Sequence, residues 1–265
     1  MRAALNKNVV NSPQGGKKAP KPGKERLDLL LVERGLAPSR EKARAMLLAG
    51  QVRVSGGLAD KPGTQVAKDA LIEIVGDTLR YASRGGLKLE GALDDFGVSP
   101  DGKTCLDVGS SNGGFTDCLL QAGAEKVYAV DVTIDQLDWK LRKDARVHTI
   151  ETNARHLRAE QIGEPVDLVT IDVSFISVAK ILPAVVEAAG PAAEFLILVK
   201  PQFELERAAV GKGGIVRDPA SQQRAIEQVK AASVNAGLEI LGERASRVRG
   251  TEGNQEFFLH ARRKP

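Results

Sequence analysis

The chain has 265 residues, of which 42% are hydrophobic and 27% charged, and its formal net charge is +4 at pH 7. This length accommodates one large domain or two, and the hydrophobic content is sufficient for a packed core. No apolar run is long enough to span a membrane, and no basic and then apolar signal segment is present, which predicts a soluble, cytoplasmic protein. The two cysteines, Cys105 and Cys118, lack metal-ligand spacing, so we expect buried thiols and no metal site.

The positive charge is concentrated at the N-terminus. Residues 1–26 carry a net charge of +6, residues 27–80 carry +1, and residues 81–265 carry −3. Residues 1–24 contain three prolines and few apolar side chains, which predicts a disordered basic tail. Such a tail can attract phosphate groups without sequence preference, or it can be only a solubilising terminus.

Residues 25–80 have the pattern of a small α+β domain. Apolar residues at helical spacing predict two short helices separated by residues 35–38, with Ser39 as an N-cap and Gly50 after the second helix. Short strands with a Gly-Gly turn follow. The basic side chains near these elements are candidates for contact with an RNA backbone: Arg26, Arg40, Lys42, Arg44 and Arg53. An ordinary solvated face is about equally compatible with the charge alone.

Three short motifs in this segment are R-L-D at 26–28, S-R-x-x-A-R at 39–44 and V-x-V-x-G at 52–56. They resemble the alpha-L RNA-binding module of a small-subunit ribosomal protein, pseudouridine synthases and tyrosyl-tRNA synthetases. No aromatic residues interleave with the basic ones, so we expect recognition of RNA shape and backbone rather than base stacking here.

A buried strand, a glycine-rich turn and a helix are predicted from Thr104 to Gln121. A dinucleotide fingerprint requires glycine where Ser111 stands, and the Gly-Lys-Ser/Thr ending of a P-loop is absent. What remains is D-x-G-x-x-x-G-G, beginning at Asp107. Glycines at these positions permit a tight turn and a close approach of the backbone to a ligand.

Polar side chains follow the neighbouring strands in register with this turn. Asp131 ends the next strand, where a carboxylate can hold a ribose diol, and Asn153 after the third strand could contact an adenine edge. Asp107 could receive the ammonium of a methionine moiety. The pattern favours S-adenosylmethionine, with a ligand-free structural turn as the alternative. The candidate cofactor-binding residues are Asp107, Gly109, Ser110, Ser111, Asn112, Gly113, Gly114, Phe115, Asp131 and Asn153.

Strands and helices alternate through residues 81–265, which predicts an α/β fold with a doubly wound, Rossmann-like parallel sheet. Predicted helices cover residues 84–96, 114–121, 136–142, 155–161, 177–189 and 221–236. Residues 201–219 form a long glycine-bearing segment, where a lid or substrate loop is expected. Residues 255–261 alternate like an edge or antiparallel strand.

Asp172 and Lys200 follow the fourth and fifth predicted strands, so both should face the crevice at the carboxyl ends of the strands. Burying either charge is costly unless it is paired, which favours a functional reason for both.

Five motifs resemble the TlyA rRNA 2′-O-methyltransferases, which combine an alpha-L module with an FtsJ-like methyltransferase and are often labelled hemolysin A. They are S-R-G-G-L-K-L at 83–89, D-V-G-S-S-N-G-G-F-T at 107–116, I-D-V-S-F-I-S at 171–177, L-V-K-P-Q-F-E at 198–204 and G-N-Q-E-F-F at 253–258. The resemblance implies a cytidine ribose in ribosomal RNA, or in ribosomal subunits, as the substrate. It also implies a catalytic tetrad of Lys88, Asp172, Lys200 and Glu256. Without it, Glu256 could equally be an exposed strand carboxylate.

The residue types suit methylation of a 2′-hydroxyl, which is a weak nucleophile that must be aligned and must lose its proton. Lys200 is the candidate base or orienting group. Lys88 would favour the neutral amine, whereas Asp172 and Glu256 would oppose it. Two other functions are a non-catalytic ribosome-assembly factor, against which the intact tetrad argues, and a cytolysin, for which no amphipathic or membrane-length segment is present.

Overall fold

The computed structural model describes residues 23–48, 51–74, 80–250 and 253–264. The predicted disordered tail, apart from its last two residues, lies outside these ranges, and so does Gly50. The chain divides into two compact units, residues 1–78 and 79–265. Among the described residues, no helix combines the length and apolarity needed to cross a membrane.

The first unit packs two helices against short strands. Its elements are β1 (Lys24–Arg26), α1 (Leu27–Glu33), α2 (Arg40–Leu48), β2 (Val52–Val54), β3 (Gly57–Leu58), β4 (Gln65–Ala67) and β5 (Ile72–Ile74). β1 pairs with β4, and β2 pairs with β3 and β5, all antiparallel. The predicted pair of helices is confirmed, and Ser39 Oγ accepts the Lys42 amide at 3.2 Å as an N-cap does. Leu27, Leu31 and Leu47 form the centre of its core.

The second unit is a seven-stranded mixed sheet covered by helices on both faces. Its strands are β6 (Thr104–Val108), β7 (Lys126–Asp131), β8 (Val147–Glu151), β9 (Leu168–Ile171), β10 (Glu194–Val199), β11 (Leu238–Ala245) and β12 (Phe257–Arg263), in the order β11-β12-β10-β9-β6-β7-β8. The five strands from β10 to β8 are parallel, and β12 is antiparallel to both of its neighbours. The predicted doubly wound fold is confirmed.

The helices of this unit are α3 (Gly85–Phe96), α4 (Gly114–Gln121), α5 (Trp139–Lys143), α6 (Ala159–Ile162), α7 (Leu182–Ala189), α8 (Pro201–Glu204) and α9 (Pro219–Asn235). Side chains alternate between the two faces of each strand, so one strand supplies both cores. In β10, Ile197 packs with the α7 and α9 side, whereas Leu196 packs with the α3 and α4 side. Cys105 and Cys118 are buried free thiols in the second of these cores, as expected.

Several predicted boundaries were wrong. The helix predicted at 136–142 begins at Trp139, because the Asp138 side chain caps it by accepting the Lys140 amide. The helices predicted at 155–161 and 177–189 each consist of a 3-10 turn, at Ala154–His156 and Val178–Lys180, followed by a shorter helix. The strand predicted at 255–261 is antiparallel but not an edge, since β11 pairs along its outer side.

Candidate functional site

The turn after β6 brings the carboxyl ends of three strands together. Gly109 has φ +90°, and its amide donates to the Val130 carbonyl at 2.8 Å. A Cβ atom at Gly109 would collide with the backbone carbonyl of Asp172, which follows β9. Only glycine therefore fits both the left-handed backbone and this approach.

Asp131 fixes the same turn from the end of β7. Its two carboxylate oxygens accept the amides of Ser111 at 2.8 Å and Val132 at 2.7 Å. A carboxylate offers about four acceptor positions, so Asp131 can accept further hydrogen bonds from a diol. The role of Asp131 in holding a ribose diol stays a prediction.

A cavity of about 540 Å³ lies at these strand ends. Four predicted cofactor residues and one predicted catalytic residue line it: Gly109, Ser111, Asp131, Asn153 and Asp172. Sequence reasoning missed others, including Gln136, Thr152, Arg155, Val173, Ser174 and Phe175. They lie in the loops after β7, β8 and β9, and their position directly after apolar strands was the signal that could have found them.

The cavity suits S-adenosylmethionine in size and in polar groups. Its volume falls within the range of small-molecule sites. Ser110 is buried in the turn, and its Oγ has no hydrogen-bond partner within the described part of the chain. Buried hydroxyls are normally satisfied, but Ser110 does not line the cavity, so its role as a cofactor contact stays a prediction.

Two predicted cofactor residues lie elsewhere. Asp107 is fully buried under the turn, where it accepts hydrogen bonds from Thr116 at 2.6 Å and Thr170 at 3.0 Å. Its expected direct contact with an ammonium does not fit this geometry, because the two threonines surround it and it does not line the cavity. Phe115 stacks on Phe258 in the core, with ring centroids 6.2 Å apart, so it supports the turn from behind.

The remaining predicted turn residues form the start of α4. Gly113 caps the helix with φ +91°, and a Cβ atom there would collide with Leu141. Gly114 packs against the backbone of α3, since a Cβ atom at Gly114 would lie only 3.0 Å from the backbone nitrogen of Gly86. Asn112 is exposed. These three residues shape the turn without lining the cavity.

The four tetrad side chains form two ion pairs, in each of which one partner is buried and the other is partly buried. Lys200 Nζ lies 2.5 Å from Asp172 Oδ1, and Lys88 Nζ lies 2.6 Å from Glu256 Oε2. Glu256 is 2% exposed, so the alternative of an exposed strand carboxylate does not hold. Each charge is compensated by its partner, which makes their burial tolerable.

The sheet register brings the two pairs to one edge. Val199 of β10 lies opposite Phe257 of β12, so Lys200 and Glu256 are the next residues along the same antiparallel pair. Facing residues of such a pair are about 5 Å apart at their Cβ atoms. Lys200 Nζ also donates to Ser174 Oγ at 2.9 Å. Since Asp172 and Ser174 line the cavity, the Lys200 pair stands at its wall.

An exposed aromatic residue stands beside this pair. Phe175 has φ +65° and its side chain is 92% exposed. Its ring centroid lies 5.2 Å from that of Phe203, which is in α8 next to Lys200. A strained backbone and a large exposed apolar ring are both unfavourable in free energy, and such features cluster at functional sites.

The candidate RNA-binding residues lie within the first unit. Arg26 and Arg40 share one buried carboxylate, that of Asp28, at 3.0 and 2.9 Å. Lys42, Arg44 and Arg53 are exposed on α2 and β2. The structure therefore brings two of the five residues together and leaves the others separately exposed.

Comparisons with known proteins agree with both units. The family model described as FtsJ-like methyltransferase matches residues 81–263, and the S4 domain matches residues 25–72. The Mycobacterium tuberculosis (strain H37Rv) protein named 16S/23S rRNA (cytidine-2′-O)-methyltransferase TlyA is 46% identical over 239 residues, 89% of each chain. The Brachyspira hyodysenteriae protein named Hemolysin A is 40% identical over 89% of this chain and 98% of its own.

A solved structure has the same fold over nearly the whole chain. It is a Streptococcus thermophilus protein named as a hemolysin, with a TM-score of 0.72, 41% identity, and coverage of 91% of this chain and 89% of its own. Identity at this level and over this length shows common family membership. The chain belongs to the TlyA family, in which an FtsJ-like methyltransferase domain follows an S4 domain.

Proposed function

We propose that this chain transfers a methyl group from S-adenosylmethionine to the 2′-hydroxyl of a cytidine in ribosomal RNA. The observation that carries the proposal is the Lys200–Asp172 pair at the wall of the cavity, with Lys88–Glu256 at the same sheet edge. The activity named for the M. tuberculosis relative supports the choice of cytidine and of ribosomal RNA. Ribosomal RNA as the substrate implies the cytoplasm as the location.

The cavity residues would hold the cofactor. Asp131 would accept hydrogen bonds from the ribose diol, and Asn153 would contact the adenine edge. The Gly109 turn allows the backbone to approach the ligand closely. When bound, S-adenosylmethionine supplies an electrophilic methyl group on a sulfonium sulfur.

Lys200 would contact the 2′-oxygen of the target ribose. An ammonium has three N–H donors, and in Lys200 one faces Asp172 while another donates to Ser174. The third is available to orient the 2′-oxygen, and the neutral amine could accept its proton. Asp172 and Ser174 fix the position of Nζ, so the amine is oriented before the substrate arrives.

Lys88 and Glu256 would complete a neutral group of four charges. Glu256 carries the opposite charge to Lys200 and lies beside it along the β10–β12 pair, and Lys88 compensates Glu256. Because a Cβ atom at Gly250 would collide with Glu256 Oε1, the glycine leaves room for the carboxylate that pairs with Lys88. This balance of charge makes the burial of Lys200 and Glu256 tolerable.

Phe175 would hold the target base. Sequence-specific RNA enzymes take single-stranded or unstacked bases, and these stack on exposed aromatic rings. The Phe175 ring is exposed, is supported by Phe203, and lines the cavity that Lys200 and Asp172 flank. A base on this ring would leave its ribose close to Lys200.

Transfer of a tritium-labelled methyl group to ribosomal subunits and to naked ribosomal RNA tests this function. We expect label on the ribose of a cytidine, which nuclease digestion and nucleoside analysis identify. Label on a base would contradict the ribose mechanism. RNA binding without any transfer would instead favour the assembly-factor alternative.

A further inference from the structure

A buried carboxylate connects two exposed arginines in the first unit. The Asp28 side chain is fully buried, whereas the side chains of Arg26 and Arg40 are 40% and 52% exposed. Asp28 Oδ1 accepts from Arg26 Nε at 3.0 Å, and its Oδ2 accepts from Arg26 Nη2 at 3.1 Å and from Arg40 Nε at 2.9 Å. One acid thus fixes the guanidinium groups of two different elements, β1 and α2.

The backbone around Asp28 holds this carboxylate in place. Asp28 is the second residue of α1, and its amide donates to the Pro62 carbonyl at 3.1 Å. The preceding amide, of Leu27, donates to the Thr64 carbonyl at 2.9 Å. The carboxylate is therefore fixed by the fold, and the two arginines are fixed by the carboxylate.

Most of the N–H donors of the two arginines have no hydrogen-bond acceptor among the described residues. A guanidinium has five N–H groups, of which Arg26 uses two and Arg40 one in the contacts with Asp28. The three side chains together carry one net positive charge. The hydrogen bond from Arg26 lowers the pKa of Asp28 to about 2, so the carboxylate stays ionised at neutral pH. Planar guanidinium groups with free donors match the geometry of phosphate oxygens.

We propose that Asp28 is a positioning residue for RNA binding, which holds Arg26 and Arg40 as a preformed site for the phosphate groups of the RNA backbone. This proposal rests on the proposed function, since it requires that the chain bind ribosomal RNA. The long arginine side chains lose their rotational freedom when the protein folds instead of when RNA binds. The negative charge of Asp28 therefore strengthens the binding of a negatively charged partner.

Two matched substitutions separate this role from simple electrostatics. Asp28→Asn and Glu41→Gln each raise the net charge by one, and Glu41 is an exposed residue of α2. Charge alone predicts that both variants bind RNA at least as tightly as the unaltered chain. We expect Asp28→Asn to bind unmethylated ribosomal RNA on the order of tenfold more weakly, and Glu41→Gln to bind at least as tightly as the unaltered chain.

The measurement is the affinity of the full chain for ribosomal RNA at several salt concentrations, together with steady-state methyl transfer. For Asp28→Asn we expect a higher KM for RNA with kcat unchanged. We also expect the logarithm of the RNA affinity to fall less steeply with the logarithm of the salt concentration, by about the slope that one phosphate contact contributes. A merely structural role would lower the active fraction, and hence kcat, without changing the salt slope. Equal RNA affinities for Asp28→Asn and Glu41→Gln would overturn the proposal.

A second variant keeps the test valid if Asp28→Asn does not fold. Arg40→Lys retains the charge and leaves the Arg26–Asp28 pair intact, but removes the planar donor group. We expect several-fold weaker RNA binding. The control is Arg34→Lys, because Arg34 donates to the Lys68 and Ala70 carbonyls and does not contact Asp28.

Unchanged binding by Arg40→Lys would overturn the positioning role while leaving the methyltransferase proposal intact. A chain that methylates no RNA and binds none would overturn both.

Discussion

Asp107 is a buried acid whose protonation is linked to the stability of the second unit. Burial raises its pKa to about 7, although the hydroxyls of Thr116 and Thr170 donate to it. The ordinary aspartate value is about 3.9, so from pH 4 to 7 the folded chain keeps a proton that the unfolded chain has released. The contribution of Asp107 to stability therefore falls as the pH rises through this range, and is constant above it.

We predict that Asp107→Asn removes this pH-dependent loss of stability, because the asparagine side chain has the shape of aspartate and cannot ionise. The difference in unfolding free energy between the variant and the unaltered chain should shift in favour of the variant between pH 4 and 7. The single tryptophan, Trp139, lies in the second unit, so its fluorescence can follow denaturant unfolding there. Parallel stability profiles for the two proteins would show that Asp107 is ionised when folded.

Phe175 gives a prediction about substrate binding. We expect Phe175→Ala to lower kcat/KM for ribosomal RNA by about tenfold or more, because base stacking on an aromatic ring contributes about 1–3 kcal/mol. Stability should not fall, since the ring is 92% exposed. Phe175→Tyr keeps an aromatic face and serves as the control. If both variants act on RNA as well as the unaltered chain does, Phe175 does not hold the base.

At the scale of elements, the turn after β6 depends on Gly109. Gly109 and Gly237 both have φ +90°, but a Cβ at Gly109 would collide with the Asp172 carbonyl, whereas Gly237 has no atom within 4 Å of a Cβ position. We expect Gly237→Ala to cost about 1–2 kcal/mol of backbone strain. Gly109→Ala should cost clearly more, and it should also weaken S-adenosylmethionine binding. Equal losses of unfolding free energy would contradict the close approach of β6 and β9.

Strands were easier to predict from the sequence than short helices. β9 and β10 are buried along their length, so their apolar runs identified them and placed Asp172 and Lys200 at their ends. The loops after β7 and β8 contain short helical turns whose starts are set by side-chain caps such as Asp138 and Asn153. These caps depend on local geometry, which the spacing of apolar residues does not predict.

In the candidate site, too, the sequence predicted some features and did not reveal others. The sequence pattern placed Asp131 and Asn153 on the cavity, because both follow strands of a parallel sheet. The sequence pattern did not reveal that the side chains of Asp107 and Phe115 face the interior. Which side of a strand or helix faces the interior is decided only when the neighbouring elements pack against it. Pairing of Lys88 with Glu256, 168 residues apart, required the antiparallel position of β12.

At the scale of the whole molecule, charge and chemistry are divided along the chain. The second unit contains the cavity and the two ion pairs, and residues 81–265 carry a net charge of −3. Attraction to the RNA backbone must therefore come from the basic residues 1–26 and from local basic groups, such as Arg40 in the first unit. This division predicts that changes in the first unit alter KM for RNA, whereas changes in the tetrad alter kcat.

Lys200, held by Asp172 and Ser174, is the residue that we propose to act directly on the 2′-hydroxyl. The most direct test is methyl transfer to ribosomal RNA by Lys200→Ala, measured alongside the binding of S-adenosylmethionine by calorimetry, with Lys230→Ala on α9 as the control. We expect Lys200→Ala to lose methyl transfer and to retain its affinity for S-adenosylmethionine. A Lys200→Ala variant that keeps most of its turnover would contradict a direct role of Lys200 in methyl transfer.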